Sequence, residues 1–210
     1  MQTPRFFRSA TLTIITANIL FFFIVSLISI FYPEIFEFVA LQPSKIIEMP
    51  WALITSMFMH ANPLHLFMNM FSLLFLGGFL ERIIGKRRFL TLYFLSGLLG
   101  SILYILAFYL TGANDLPAVG ASGAIFGLGG MLAVITPRMP VYIMFIPVAM
   151  PMWFGVTLSL ALLWLLSFLA NLPIGNIAHL GGLVAGLFYA FYLRRKYRRR
   201  FRIISNYFSH

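Results

Sequence analysis

Long apolar runs dominate this chain and limit what it can fold into. Apolar residues make up 61% of its 210 residues, charged residues only 10%, and the mean hydropathy is +0.94. A soluble domain of this size has no interior large enough for so much apolar surface. Because a helix of about 20 apolar residues crosses the hydrocarbon core of a bilayer, the runs predict an all-α polytopic membrane protein.

We predict six membrane-spanning helices in a single domain that covers residues 1–210. The first run follows two arginines but is long enough to span, and no small-residue cleavage site follows it, so we expect a retained helix rather than a signal peptide. Helix 4 is expected to be short, and the proline-containing apolar stretch after it to lie partly at the interface. The six expected spans are roughly residues 11–31, 64–84, 89–110, 121–136, 153–170 and 175–193.

Basic residues predict the orientation of these helices. They cluster in the N-terminal segment 1–10, between helices 2 and 3, after helix 4 at Arg138, and in the C-terminal tail 194–210. With six spans, all these clusters fall on one side, and the positive-inside rule makes that side cytoplasmic. We therefore expect a multi-pass protein of the plasma membrane with both termini in the cytoplasm.

The C-terminal tail holds the densest positive charge, with the run RRKYRRRFR at residues 194–202, and the whole chain has a net charge of +10. Such a run is compatible with nucleic acid. Directly after a membrane helix, contact with anionic lipid headgroups of the cytoplasmic leaflet is the better interpretation, and no nucleic-acid partner is expected.

Polar residues recur at the outer ends of three predicted helices. His60, His65 and Asn69 lie at the outer start of helix 2, Ser122 at that of helix 4, and Asn176 and His179 at that of helix 6. Polar side chains are costly inside a membrane and usually face the protein interior or a water-filled cavity. Helix 4 is expected to extend only about 24 Å, less than the hydrocarbon core of roughly 30 Å, so its outer end should lie below the membrane surface.

Ser122 and His179 fit a nucleophile and its base. Free N–H groups in the first turn of helix 4 would favour a developing oxyanion, and a serine needs a base to become nucleophilic. Glycines such as Gly123 on helix 4, with others on helix 6, would let the two helices pack closely and bring the pair together. Phe126, one turn after Ser122, would support the imidazole ring.

A third catalytic residue is not evident among the five acidic residues. Asp115 alone lies near the predicted site, so we favour a Ser–His dyad. His65 and Asn69 share a helix face at positions i and i+4. Both can donate hydrogen bonds, so with the Ser122 N–H they would form an oxyanion hole.

Four segments, HANPLHLFMNM, GGFLERIIG, GASGAIFG and AHLGGLVAG, occur in this order and are similar to motifs of the rhomboid intramembrane serine proteases. The resemblance spans roughly residues 51–186. It implies Ser122 as nucleophile, His179 as general base, and an oxyanion hole of His65, Asn69 and Ser122. The supporting residues of the site would be His60, Gly120, Gly123 and Phe126.

Some positions depart from the usual rhomboid pattern or carry a structural role in it. Many members have arginine after the loop tryptophan, where this chain has Ala52, and tyrosine where it has Phe126. A phenylalanine can still stack on His179. The resemblance also implies that Glu81 and Arg82 form a structural ion pair at the end of helix 2.

Other functions fit the sequence less well. Taken alone, Ser122 is an ordinary helix-packing residue, and a lone buried histidine is more often structural than catalytic. A metalloprotease is disfavoured because His60 and His65 do not share a helix face and no zinc motif is present. A transporter is disfavoured because the chain shows no inverted repeat. A non-catalytic rhomboid relative that binds membrane helices is the main alternative, although such relatives typically lack the serine or the histidine.

The sequence therefore predicts an intramembrane serine endopeptidase that cuts transmembrane helices of other proteins near the outer face of the membrane. No metal and no cofactor are expected.

Overall fold

The computed structural model describes residues 9–112, 114–143, 146–170 and 175–208. It is a helical bundle, which confirms the predicted fold class. In this described part, five helices are long and apolar enough to cross a membrane. They are Ala10–Ile28 (α1), Pro63–Ile84, Lys86–Thr111 (α6), Met152–Leu169 (α8) and Asn176–Lys196 (α9). Arg5 and Arg8 of the predicted N-terminal segment lie outside the described residues.

The remaining predicted span, the fourth, corresponds to α7, Ser122–Ile135, which is apolar but has only 14 residues. A helix of that length extends about 21 Å, so it does not reach across a core of about 30 Å by itself. The count of six spans therefore stays a prediction.

The span Pro63–Ile84 begins with an N-cap of a kind that is recognisable from sequence, Asn followed by Pro. The side chain of Asn62 accepts a hydrogen bond of 2.8 Å from the backbone N–H of His65, and a proline at the first helical position has no N–H to leave unpaired. The span consists of α4 (Pro63–Ser72), a π-helical turn (Leu73–Gly77) and α5 (Gly78–Ile84).

The loop between α1 and α4 contains short elements rather than irregular chain. They are α2 (Ile35–Val39), a 3₁₀ turn (Pro43–Lys45) and α3 (Ala52–Thr55). Trp51 fixes the loop, because its Nε1–H donates to the carbonyl of Phe38 over 2.9 Å and the two rings are 4.8 Å apart. Ala52, where many relatives have arginine, is buried.

The apolar stretch after α7 forms a β-hairpin, whereas the sequence predicted only a partly interfacial stretch without strands. Strand β1 (Pro140–Ile143) pairs antiparallel with β2 (Ile146–Pro151), and Pro140 faces Pro151 across the pair. Prolines disfavour a helix here because they lack the N–H that a helix interior needs. The strands are too short to show a clear alternation of apolar and polar residues.

Helix α7 lies at the centre of the bundle and packs against α6 and α9, which also pack against each other. Ten of its 14 residues are buried. Glycines allow the contact with α9, since a Cβ on Gly182 would overlap the carbonyl of Gly123, and a Cβ on Gly186 that of Gly127. The close approach predicted from the glycine faces is therefore present, and it positions the first turns of α7 and α9.

Glu81 has a different partner from the one predicted. Its carboxylate accepts hydrogen bonds from the N–H groups of Ala10 (2.7 Å) and Thr11 (2.9 Å) and from the Ser9 hydroxyl (2.8 Å). It thereby satisfies free N–H groups at the start of α1. Within the described residues it makes no ion pair with Arg82, so that prediction is wrong.

The predicted basic tail continues as an amphipathic helix, α10 (Arg198–Tyr207). Phe201 on its inner face is buried. The Arg200 guanidinium donates to the carbonyl of Ile83 over 2.6 Å, and the rings of Phe208 and Phe79 are 6.1 Å apart. Helix α10 therefore folds back against the end of the bundle that is opposite Ser122.

Candidate active site

A tight turn places Ser122 at the first residue of α7. Gly120 has a φ of +125°, a conformation that residues with a Cβ rarely adopt. Its N–H donates to the carbonyl of Ser56 over 2.8 Å. A Cβ at Gly120 would also lie only 2.8 Å from Cε1 of His65, so glycine is required here for conformation and for space.

Ser122 and His179 are in direct contact. The distance from Ser122 Oγ to His179 Nε2 is 2.7 Å, which is a short hydrogen bond between the side chains. His179 lies in the first turn of α9 and is only 6% exposed, whereas Ser122 is half-buried. The imidazole is thus held in the interior while the hydroxyl oxygen stays accessible from one side.

Phe126 lies over the imidazole of His179. The two ring centroids are 4.9 Å apart and the ring planes are inclined by 26°, which is a stacked arrangement. Because Phe126 follows Ser122 by about one helical turn, these two side chains, which both contact the imidazole of His179, come from the same helix.

The neutral form of His65 directs a donor toward the turn that precedes Ser122. Its Nδ1 accepts a hydrogen bond of 3.4 Å from the N–H of Ala61, so the proton of the neutral ring is on Nε2. A Cβ built on Gly120 would lie 2.9 Å from this nitrogen and 3.6 Å from Ser122 Oγ. The structure therefore brings His65 to the side of Ser122.

Asn69 contacts His65 directly and is linked to Ser122 through His65. Its side-chain amide donates to the carbonyl of His65 over 2.8 Å, and Asn69 is 5% exposed. His60 is fully buried behind the pair, with its ring 5.1 Å from that of His65 and nearly perpendicular to it. An oxyanion role for Asn69 would use the second N–H of its amide.

The N-terminus of α7 adds backbone donors to the site. Ala121, the residue that precedes the helix, makes no capping hydrogen bond with its side chain. The first N–H groups of the helix, at Ser122 and Gly123, have no acceptor within the helix. A negatively charged oxygen near Ser122 would be stabilised by these N–H groups and by the helix dipole.

Asp115, the acidic residue nearest to Ser122 in sequence, joins the loop between α6 and α7 to the loop between α1 and α4. Its carboxylate accepts hydrogen bonds from the N–H of Ser44 (3.0 Å), the amide of Gln42 (3.0 Å) and the Ser44 hydroxyl. Partial burial alone would raise the pKa of Asp115, but these hydrogen bonds and the charge of Lys45 outweigh it and lower that pKa.

His179 has no acidic partner that would complete a triad. Its Nδ1 makes no hydrogen bond to any residue that the structure describes. Within the same residues, no group of three histidine, aspartate or glutamate side chains is placed to hold a metal ion. Among the described residues, the imidazole of His179 hydrogen-bonds to Ser122 and stacks on Phe126, and no carboxylate binds it.

Two contributors to the site were not identified from the sequence. Gly100 on α6 lies against the carbonyl of Ala178, next to His179, and Gly181 on α9 lies against the backbone of Gly100. Ser96 and Gly100 are four residues apart, a small-xxx-small spacing that indicates close helix packing in membranes. The spacing does not show which helix packs there.

A family model described as the rhomboid domain matches residues 48–196, a range that includes every residue of this site. The chain belongs to the rhomboid family. The protein of Bacillus subtilis (strain 168) named "Putative rhomboid protease YdcA" is 37% identical over 152 residues, which are 72% of this chain and 71% of that protein.

Plant proteins are also similar to this rhomboid chain. "RHOMBOID-like protein 6, mitochondrial" of Arabidopsis thaliana is 36% identical over 145 residues, 68% of this chain, and the match spans only 43% of that relative's length. "Inactive RHOMBOID-like protein 8" of the same plant is 34% identical over 93 residues, 44% of this chain and 25% of that protein. Because the family includes a relative named as inactive, activity has to be argued from the site.

Proposed function

We propose that this rhomboid is an intramembrane serine endopeptidase that cleaves transmembrane helices with a dyad of Ser122 and His179. The observation that carries the proposal is the 2.7 Å contact between Ser122 Oγ and His179 Nε2. A half-buried serine hydroxyl hydrogen-bonded to a buried imidazole is the arrangement that activates a serine for attack on a carbonyl carbon.

In the proposed reaction, Ser122 Oγ attacks the scissile carbonyl while His179 Nε2 takes the hydroxyl proton. The tetrahedral intermediate collapses to an acyl-enzyme, and His179 gives the proton to the leaving amine. A water molecule then attacks the ester, with His179 as base again. This step releases the new carboxylate and restores the serine hydroxyl.

The charge on the tetrahedral oxygen would be stabilised by donors from two elements. They are the Ser122 N–H at the start of α7, the Nε2–H of His65, and the second amide N–H of Asn69. Removing one donor of an oxyanion hole usually lowers kcat by about 10²- to 10³-fold. We expect a smaller effect from Asn69 than from Ser122 or His179, because the other two donors remain.

We also propose that the dyad lies below the outer membrane surface and that both termini are cytoplasmic. The basic residues of the α5–α6 junction and of α10 lie at the end of the bundle opposite Ser122, as the contact between Arg200 and Ile83 requires. The positive-inside rule makes that end cytoplasmic. A substrate helix would have to unwind locally to expose a carbonyl, so small or helix-breaking residues are expected near the cut.

The test is cleavage of a model transmembrane substrate by the full chain in proteoliposomes. We expect Ser122→Ala and His179→Ala each to abolish cleavage, while their thermal unfolding stays close to that of the wild type. Asn69→Ala should cleave slowly but measurably. Cleavage at the wild-type rate in either dyad variant would refute the dyad, and an inactive but folded wild type would favour the helix-binding alternative.

A further inference from the structure

The junction of α9 and α10 carries four arginines around one cavity. The chain bends at Tyr197, between the two helices. The cavity on one side of the bend has a volume of about 650 Å³, and Asn206 also contributes to its wall. We call its four arginines the arginine elbow: Arg194, Arg195, Arg198 and Arg202.

Packing against the bundle holds the bend in place. The Arg88 guanidinium donates to the Tyr197 hydroxyl over 2.8 Å and lies 4.6 Å from the centre of that ring. One turn further, Phe201 is only 4% exposed. The arginine elbow is therefore presented by a bend with fixed partners on α6 rather than by a loose tail.

The charges of the arginine elbow are not neutralised within the described part of the chain. The ion pair found there joins Lys45 and Glu37, which are far from the elbow in the outer loop. Four guanidinium groups around one cavity repel each other, so an anion in the cavity would be strongly favoured. Arg198 and Arg202 are one turn apart on α10, and their planar forks match the oxygens of a phosphate.

The position of the arginine elbow indicates that this anion is a lipid. Along α9, Arg195 lies about 24 Å from His179. Because the dyad lies below the outer surface of a hydrocarbon core of about 30 Å in the proposed function, on which this placement rests, the separation puts the elbow at the depth of the cytoplasmic headgroups. Phe191 contributes to the cavity wall and is 54% exposed, and Phe188, one turn earlier, is 72% exposed. The acyl chain of a phospholipid would cover these rings while the phosphate of its headgroup occupied the cavity. Free phosphate would leave the rings uncovered.

We propose that the arginine elbow is a binding site for the phosphate headgroup of an anionic phospholipid. Its ligand contacts are the guanidinium groups of α9 and α10, with the acyl chains along the apolar face of α9. The site is separate from the dyad, and its occupancy does not depend on proteolysis.

Binding is tested by native mass spectrometry of the full chain in neutral detergent, titrated with phosphatidylglycerol or phosphatidylcholine. The wild type should bind one phosphatidylglycerol saturably and prefer it to phosphatidylcholine. The double variant Arg198→Gln/Arg202→Gln should weaken that binding by about tenfold or more, because it removes two of the four guanidinium groups that would contact the phosphate.

The matched control is Lys86→Gln/Arg87→Gln, which removes two exposed charges from the same end of the bundle but outside the cavity. It should change the affinity by less than twofold. Equal losses in both double variants would mean diffuse surface attraction and would overturn the proposal. Inorganic phosphate that displaces the lipid at the lipid's own concentration would overturn it in favour of a free-phosphate site.

A second variant covers the case in which the glutamines prevent folding. Arg198→Lys/Arg202→Lys keeps the charge but removes the planar forks. It should fold and bind phosphatidylglycerol at least threefold more weakly than the wild type. Unchanged affinity in this variant would show that the forks do not hold the phosphate.

Discussion

Ser122 and His179 are 57 positions apart in the sequence, yet their side chains meet at 2.7 Å. Ser122 is the first residue of α7, His179 lies in the first turn of α9, and the ring of Phe126 stacks on the imidazole. In the proposed dyad, this ring would take the orienting role that a carboxylate has in a triad, because the Nδ1 of His179 has no hydrogen-bond partner among the described residues.

Phe126→Ala should therefore slow cleavage without unfolding the protein. An aromatic pair contributes about 0.5–1.5 kcal/mol, which corresponds to a loss of about 2- to 13-fold in kcat. Phe126→Tyr keeps the ring and should stay within about twofold of the wild type. The measurement is the initial rate in proteoliposomes, and an unchanged rate in Phe126→Ala would show that the ring does not orient the base.

Individual residues differ in how well the sequence predicts them. The contact of Ser122 with His179 was predictable, because both begin apolar helices that carry glycines at packing intervals. The partners of Glu81 and Asp115 were not. Each carboxylate binds groups about 70 residues away in sequence, and no spacing rule connects such distant segments.

At the scale of elements, the contact between α7 and α9 decides the geometry of the site. The backbones touch at Gly123 and Gly182, where a side chain on the second would overlap the carbonyl of the first. Since Gly182 is less than one turn after His179, any separation of the helices there also moves the base away from Ser122.

Gly182→Ala should destabilise the protein by about 1–3 kcal/mol, the usual cost of overpacking, and should also reduce cleavage. The matched control is Gly78→Ala, because a Cβ at Gly78 meets no atom within 4 Å. Alanine there should be neutral or stabilise the protein by up to about 1 kcal/mol. Thermal unfolding and cleavage rate are measured together, and equal stability of the two variants would contradict the proposed role of the interface.

The long helices were predictable to within a few residues because apolar length is a strong signal. The hairpin of β1 and β2 and the helix α10 were not. The strands are short and contain prolines, so the sequence shows no clear strand pattern from which their pairing could be predicted. From the sequence, α10 is predicted only as a charged tail. Its inner face has few apolar residues, among them Phe201 and Ile204, and they lie within a run of arginines.

Over the whole molecule, the loop between α6 and α7 is joined to the loop between α1 and α4. Asp115 binds Ser44 and Gln42, and next to this contact the backbones of Leu41 and Ala118 pair. These bonds connect the loop after α1 to the segment that leads into Ser122.

Asp115→Asn should lower the unfolding temperature at pH 7 by about 1–3 °C. The folded protein lowers the pKa of Asp115, so the carboxylate stabilises it above the ordinary pKa of about 3.9, and this contribution is lost as the pH falls through the lowered value. The difference between wild type and variant should shrink below about pH 4. Glu48→Gln, an exposed control in the same loop, should change neither value.

The central claim is that Ser122 is an activated nucleophile. It is tested most directly by labelling the full chain in membranes with a fluorophosphonate probe and locating the modified residue by mass spectrometry. We predict that the wild type is labelled at Ser122 and that Ser122→Ala and His179→Ala are not labelled. A folded wild type that stays unlabelled, or equal labelling of His179→Ala, would contradict the account.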